Sequence, residues 1–178
     1  LLLVPVASGG SPSRLIRVPQ IVDLNEALEV ARPGDVILLA PGKYEGELSI
    51  PSHVSGVTIR GADRNHVVFE GDDLSEEGIE VYGDDVTIEN LTVHGFRGNG
   101  VYWESVDGFA ARYVTVYNVG LYGIYALDSR NGVFEHSFVS GAADAAYYIG
   151  QCDPCNVSIS KVVARLSAIG YSGTNASG

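Results

Sequence analysis

The sequence predicts an all-β fold, a single-stranded right-handed parallel β-helix of three parallel sheets with a short capping helix near its N-terminus. Three observations carry that reading. From Val57 onward the chain repeats itself, with a period of 23 or 24 residues in the interior units. Each unit holds three short stretches of alternating apolar and polar residues separated by Gly, Asn or Asp turns. The composition is rich in Gly (22) and Tyr (10) but low in charged residues (19%), which suits a turn-rich β protein rather than a helical bundle.

At 178 residues the chain is long enough for one domain with a sizeable core. It opens with "LLLVPVASGGSPS", too short an apolar run to span a bilayer, and no other segment is a candidate. Residues 1 to 19 form a separate N-terminal segment. It reads either as the tail of a secretory signal peptide, with cleavage after Ala7, or as a buried first strand. Residues 20 to 34, "QIVDLNEALEVARPG", read as one amphipathic helix. Asp23 and Glu26 have the spacing of a capping box, Leu24, Ala27, Leu28 and Ala31 share a face, and Pro33-Gly34 ends the helix. An apolar strand follows in "DVILLAPGKY".

The repeats begin with "VTIRGADRNHVVFEGDDLSEEGIEVYGDD" from Val57 and "VTIENLTVHGFRGNGVYWESVDG" from Val86. "FAARYVTVYNVGLYGIYALDSRNG" from Phe109, "VFEHSFVSGAADAAYYIGQCDPCN" from Val133 and "VSISKVVARLSAIGYSGTNASG" from Val157 complete the series. A three-strand unit of this size cannot bury its own apolar face. Stacked copies make three parallel sheets around a continuous core, so residues 20 to 178 form one solenoid. The last unit carries no capping segment. The expectation is therefore a C-terminal end covered by a further part of the chain or by another subunit.

The stretch "EALEVARPGDVILLAPGKYEGELSI" followed by "VTIRG" resembles the opening of pectin-lyase-like β-helix proteins. Within that superfamily the chain is similar to the right-handed β-helix repeat proteins related to NosD. The resemblance covers residues 20 to 178. It implies the fold, and it implies that the outer face of the strand after each central Gly lines a polysaccharide groove. It does not select an activity, because one scaffold carries many functions. The chain lacks the Asp-Asp, Gly-His-Gly and Arg-x-Lys set of polygalacturonases. The Gln-Asp pattern of pectin methylesterases and the Tyr-Gly-Phe-Asp-Pro-His motif of alginate epimerases are missing too.

Alternation along the groove strand points Ile79, Val81, Val101, Trp103, Ile124, Ala126, Tyr147, Ile149, Tyr171 and Gly173 inward. One outward ladder reads Glu80, Tyr102, Tyr125, Tyr148, Ser172. The next reads Tyr82, Glu104, Leu127, Gly150, Thr174, with Gly83, Ser105, Asp128, Gln151 and Asn175 just beyond. An exposed stack of Tyr102, Tyr125 and Tyr148, flanked by Glu80, Tyr82, Gln151 and Asn175, offers a sugar ring an aromatic surface and a polar rim. Equally, stacked tyrosines stabilise a parallel sheet by packing on their neighbours.

Glu104 and Asp128 are the best-placed pair of carboxylates for glycoside hydrolysis. For β-elimination, Arg130 is the basic residue nearest to the right place. Asp84, Asp107 and Asn131 fall at equivalent turn positions, where stacked oxygens suit calcium and where Asx residues also suit left-handed turns. No other metal or cofactor is implied. Glu135 falls on an inward position beside Ile88, Ala111 and Ile159, which calls for a bulge or a buried partner. Cys152 and Cys155 lie in a turn aligned with Asp84 and Asp107. No helix follows and no further ligands complete a zinc site, so they read as a structural disulfide.

A formal charge of −11 excludes binding to the phosphate backbone of nucleic acids. The sequence therefore suggests a polysaccharide-binding protein, secreted or held in the cell envelope or periplasm, with lyase or glycosidase activity as an extension. A non-catalytic structural or interaction module and a NosD-like periplasmic accessory protein are the alternatives.

Overall fold

The structure is a computed structural model that describes residues 13 to 19 and 21 to 177. The signal-peptide reading, with cleavage after Ala7, falls outside the described residues. A short strand β1 (Leu15–Val18) leads into helix α1 (Ile21–Val30). The first full turn of the solenoid is β2 (Val36–Leu39), β3 (Gly42–Glu45) and β4 (Leu48–Ile50). The second is β5 (Thr58–Gly61), β6 (Val67–Glu70) and β7 (Ile79–Val81), and the third is β8 (Val86–Glu89), β9 (Thr92–Phe96) and β10 (Val101–Glu104). Then come β11 (Asp107–Arg112), β12 (Thr115–Val119) and β13 (Ile124–Leu127), followed by β14 (Arg130–Glu135), β15 (Phe138–Ala142) and β16 (Ala145–Cys152). The last described turn is β17 (Val157–Ser160), β18 (Val163–Arg165) and β19 (Ile169–Ala176).

Like strands of successive turns pair in parallel. The first sheet runs β1-β2-β5-β8-β11-β14-β17, the second β3-β6-β9-β12-β15-β18 and the third β4-β7-β10-β13-β16-β19. The first sheet thus reaches back to Leu15, ahead of the boundary that the sequence placed at residue 20.

Each sheet sends a column of side chains inward. Ile37, Ile59, Ile88, Ala111, Phe134 and Ile159 line up in the first sheet. Tyr44, Phe69, Val93, Val116 and Val139 do so in the second. Large and small residues alternate so that the layers interlock. The rings of Trp103, Phe109 and Phe134 meet at 5.6 to 5.9 Å where Ala111 and Ala126 leave room. Helix α1 closes the N-terminal end by laying Leu24, Ala27 and Leu28 onto this core. Asp23 stands within the first helical turn rather than at the cap, where its carboxylate still complements the helix dipole.

The corners repeat as faithfully as the strands. Four columns of residues adopt left-handed backbone: Asp85, Gly108, Asn131, Asn156; Asn90, Tyr113, His136, Lys161; Gly95, Asn118, Gly141, Leu166; and Ser105, Asp128, Gln151, Asn175. Asn, Asp and Gly accept this conformation readily, and the others are held there by ladders on both sides.

The register corrects two expectations. Gly132 pairs with Phe109, which pairs with Val86, so the fourth repeat begins one residue earlier than Val133. Phe134 therefore takes the inward slot and Glu135 points out, where its carboxylate accepts from Arg112 Nε at 2.6 Å. For the same reason Arg130, not Asn131, is the counterpart of Asp107.

Candidate functional site

The outer face of the third sheet carries the predicted ladder in the predicted register. Tyr102 lies between Glu80 and Tyr125, and Tyr125 between Tyr102 and Tyr148. The inward partners of the same strands, from Ile79 to Ile149, are buried, whereas Tyr171 in the last turn is 52% exposed.

The expected exposed stack is not what the tyrosines form. Tyr102 and Tyr148 are each only 9% exposed. Tyr102 is tilted against Tyr125 (5.6 Å between ring centroids), and Tyr148 meets Tyr125 edge-on at 5.0 Å. Tyr122, which stands in the turn before β13, packs on Tyr125 (5.0 Å) and Tyr148 (4.8 Å). Tyr82 adds an edge contact to Tyr102 at 6.2 Å. The reason is steric. A parallel ladder places identical rings closer than a flat side-by-side array allows, so they rotate into tilted and edge-to-face packing. Tyr148 also folds over Gly150, where a side chain at the next outward position would collide with it.

The phenols are networked. Tyr102 Oη donates to Glu80 Oε1 at 3.1 Å and therefore accepts from Tyr82 Oη, 2.8 Å away. Burial first, then the bond from Tyr82 and the charge of Glu80, pushes the Tyr102 phenol far above its usual range. Burial also pushes Tyr125 up to about 12, with Tyr148 and Glu104 adding to the effect. Tyr122 is raised by burial and by Asp144, and the Glu77 carboxyl is raised by burial.

Around the corner from β10, β13 and β16 lies a polar cleft of about 360 Å³. Asp84, Asp107, Asp128, Asp153 and Arg130 line it, with Ser105, Ser129, Cys152 and Pro154. Asp128 accepts from Ser105 Oγ at 3.2 Å. Arg130 Nε donates to Asp107 at 3.0 Å, and Asn131 Nδ2 donates to the same carboxylate. Those bonds, Asn131's first, hold Asp107 below the usual carboxylate range. Asp84 accepts from the Asp107 backbone N–H at 2.8 Å. The oxygens of Asp84 and Asp107 are thus engaged in cross-turn bonds, while the left-handed positions of these turns fall to the next residues, Asp85 and Gly108, and to Asn131. Among the described residues no group of three or more His, Cys, Asp or Glu side chains is arranged to hold a metal ion.

The structure divides the predicted catalytic set. Asp128 and Arg130 share the cleft, while Glu104 stays on the sheet face paired with Leu127. Gln151 and Asn175 form an exposed amide pair, with Asn175 Nδ2 donating to Gln151 Oε1 at 3.3 Å. Cys152, which lines the cleft, is joined to Cys155 by a disulfide. Sequence reasoning missed Tyr122, Glu77 and Asp144, which sit in turns where strand alternation assigns no face.

No curated protein matches the chain. Among solved structures it is similar to an alginate lyase from Paenibacillus sp. str. FPU-7. The TM-score is 0.67 at 23% identity, over 88% of this chain and 58% of that one. The A-module of a mannuronan C-5 epimerase from Azotobacter vinelandii gives 0.56 at 17% identity, covering 85% and 51%. A PL6 family polysaccharide lyase from Pseudopedobacter saltans gives 0.54 at 15% identity, covering 90% and 53%. The chain spans just over half the length of each, and at these identities the likeness is one of fold. Residues 49–176 match the family described as "Right handed beta helix region", to which this protein belongs.

Proposed function

We propose that the protein is an exported polysaccharide-binding β-helix protein, with the glycan lying along the outer face of the third sheet and reaching the acidic cleft at its edge. The observation that carries this reading is the tract of five tyrosines, Tyr82, Tyr102, Tyr122, Tyr125 and Tyr148, beside that cleft. Aromatic surface next to fixed polar groups is the usual chemistry of a sugar site. Fold relatives named for alginate, mannuronan and polysaccharide support it by analogy. An oxidising compartment suits the disulfide. Among the described residues no helix is long and apolar enough to cross a membrane.

An oligosaccharide array with wild type and Tyr125→Ala tests the reading. Loss of the ring with aromatic neighbours on both sides should weaken binding by about 1 kcal/mol beyond the lost area, roughly fivefold. Equal affinity of the two proteins on every glycan would leave the tyrosines with a packing role only. Bond cleavage is a second reading, favoured by Asp128 and Arg130 sharing one cleft. It predicts new reducing or unsaturated ends from a bound glycan, abolished by Asp128→Asn. A bound glycan recovered intact would leave a binding protein.

A further inference from the structure

We propose that the tyrosine face selects glycans bearing free amino groups, such as glucosamine oligomers, over both polyuronates and neutral sugars. The inference rests on the glycan-binding reading above and concerns its substrate class.

Charge is the first argument. The carboxylates at the rings are Glu80, which accepts from Tyr102, and Glu77 and Glu104, whose charges act on Tyr125. Asp144 lies against Tyr122 and Asp128 at the corner. The nearby cations are already committed, Arg97 to Glu76 and Arg130 to Asp107. Lys43 belongs to the second sheet, where it pairs with Glu70, and Lys161 to the corner after the first. Among the described residues, then, the groove faces its ligand with net negative charge. A polyuronate brings a carboxylate on every sugar and meets repulsion at each turn of the solenoid. A protonated amine meets attraction from the same groups.

Shape is the second argument, and it separates amino sugars from neutral ones. A neutral sugar depends on flat, accessible aromatic surface. Here Tyr102 and Tyr148 are 9% exposed and the rings are tilted or edge-on to one another. Stacking area is scarce while carboxylate oxygens are plentiful. Recognition by such a face is therefore chiefly electrostatic.

The test is calorimetric titration of the protein with three hexasaccharides at mildly acidic pH, where sugar amines are protonated and most carboxylates are ionised. The probes are the deacetylated glucosamine hexamer, its fully N-acetylated form and a mannuronate hexamer. The deacetylated hexamer should bind at least about tenfold more tightly than the other two, and added salt should weaken it. Glu104→Gln should weaken it several-fold in a protein whose thermal melt is unchanged. Tyr125→Ala, which also removes packing from Tyr102, Tyr122 and Tyr148, should weaken it as well and lower the melting temperature. If the acetylated or uronate hexamer binds as tightly, this inference fails while glycan binding stands. If none of the three binds and an array finds no other glycan, both fail. Binding of the amino hexamer that is indifferent to both substitutions would place it elsewhere on the acidic surface and overturn the proposal.

Discussion

Gly132 occupies the inward position that Val86 and Phe109 hold in the two preceding turns. A Cβ there would land inside the Phe109 ring, which is boxed in by Trp103 and Phe134 at 5.6 Å each. The large residue of one turn thus requires the missing side chain of the next. Gly132→Ala should lower stability by about 1–3 kcal/mol, the range for overpacking a tight core. Urea denaturation measures this, and Phe109→Leu in the same chain should recover part of the loss. This glycine also explains why Glu135 reads as inward from sequence. Val133 looks like the start of a repeat, and nothing local reveals that a neighbour's ring fills the slot before it. The tyrosine ladder, by contrast, is legible because strand alternation places Tyr102, Tyr125 and Tyr148 directly. Their mutual burial is not, since ring tilt depends on neighbours such as Tyr122 that lie in turns.

At the scale of elements, the N-terminal cap is fastened by one buried carboxylate. Asp35, 3% exposed at the start of the first full turn, accepts from the backbone N–H and Nε of Arg14, both at 3.1 Å, and from Arg32 N at 2.8 Å. Arg14 also donates to Val30 O at 2.8 Å, so the lead into β1, the end of α1 and the start of β2 meet at this point. The bond from Arg14, foremost among these, lowers the Asp35 carboxyl from 3.8 to about 2. The folded value lies below the unfolded one, so the stabilisation is fully present above pH 3.8 and is lost as the pH falls through about 2. Asp35→Asn should flatten that part of the stability profile, measured by chemical denaturation at a series of pH values. The helix itself is legible from its apolar period, but the Arg14 clamp is not, because its partners are 21 residues apart. At the other end of the solenoid, the disulfide closes only a four-residue loop. Replacing both cysteines by Ala should cost no more than roughly 2 kcal/mol in the loop-entropy picture, read as a shift in the urea midpoint.

Over the whole molecule, turns touch chiefly their neighbours, with Arg64 reaching from the second turn to Thr115 and to the carbonyl of His136, and stability is set by how many faces of a turn are covered. In the last described turn Val163 is 44% exposed, Leu166 90% and Tyr171 52%, whereas the inward residues of β7, β10 and β13 are buried. In the 178-residue chain taken by itself, amide hydrogen exchange should therefore be faster over residues 157 to 176 than over β7 to β13, as local opening starts where the fewest contacts break. Uniform protection along the solenoid would contradict this. The four left-handed corners have a different consequence, for how such a chain can lengthen. They recur at the same place in each described turn from β8 onward, and 23 residues carry Val86 to Phe109 and Phe109 to Gly132. A single inserted residue within a strand would reverse the facing of everything up to the next corner and push a row of core side chains into water. A duplicated block of residues 109 to 131 would find its corners already in place, with one core clash to relieve, since its second Phe109 would lie over the first where Gly132 now stands. Length is therefore gained more easily by whole turns, or as slack in a corner, than by single residues within a strand. The 29 residues from Ile59 to Ile88, which include the loop from Gly71 to Gly78, show where such slack is tolerated.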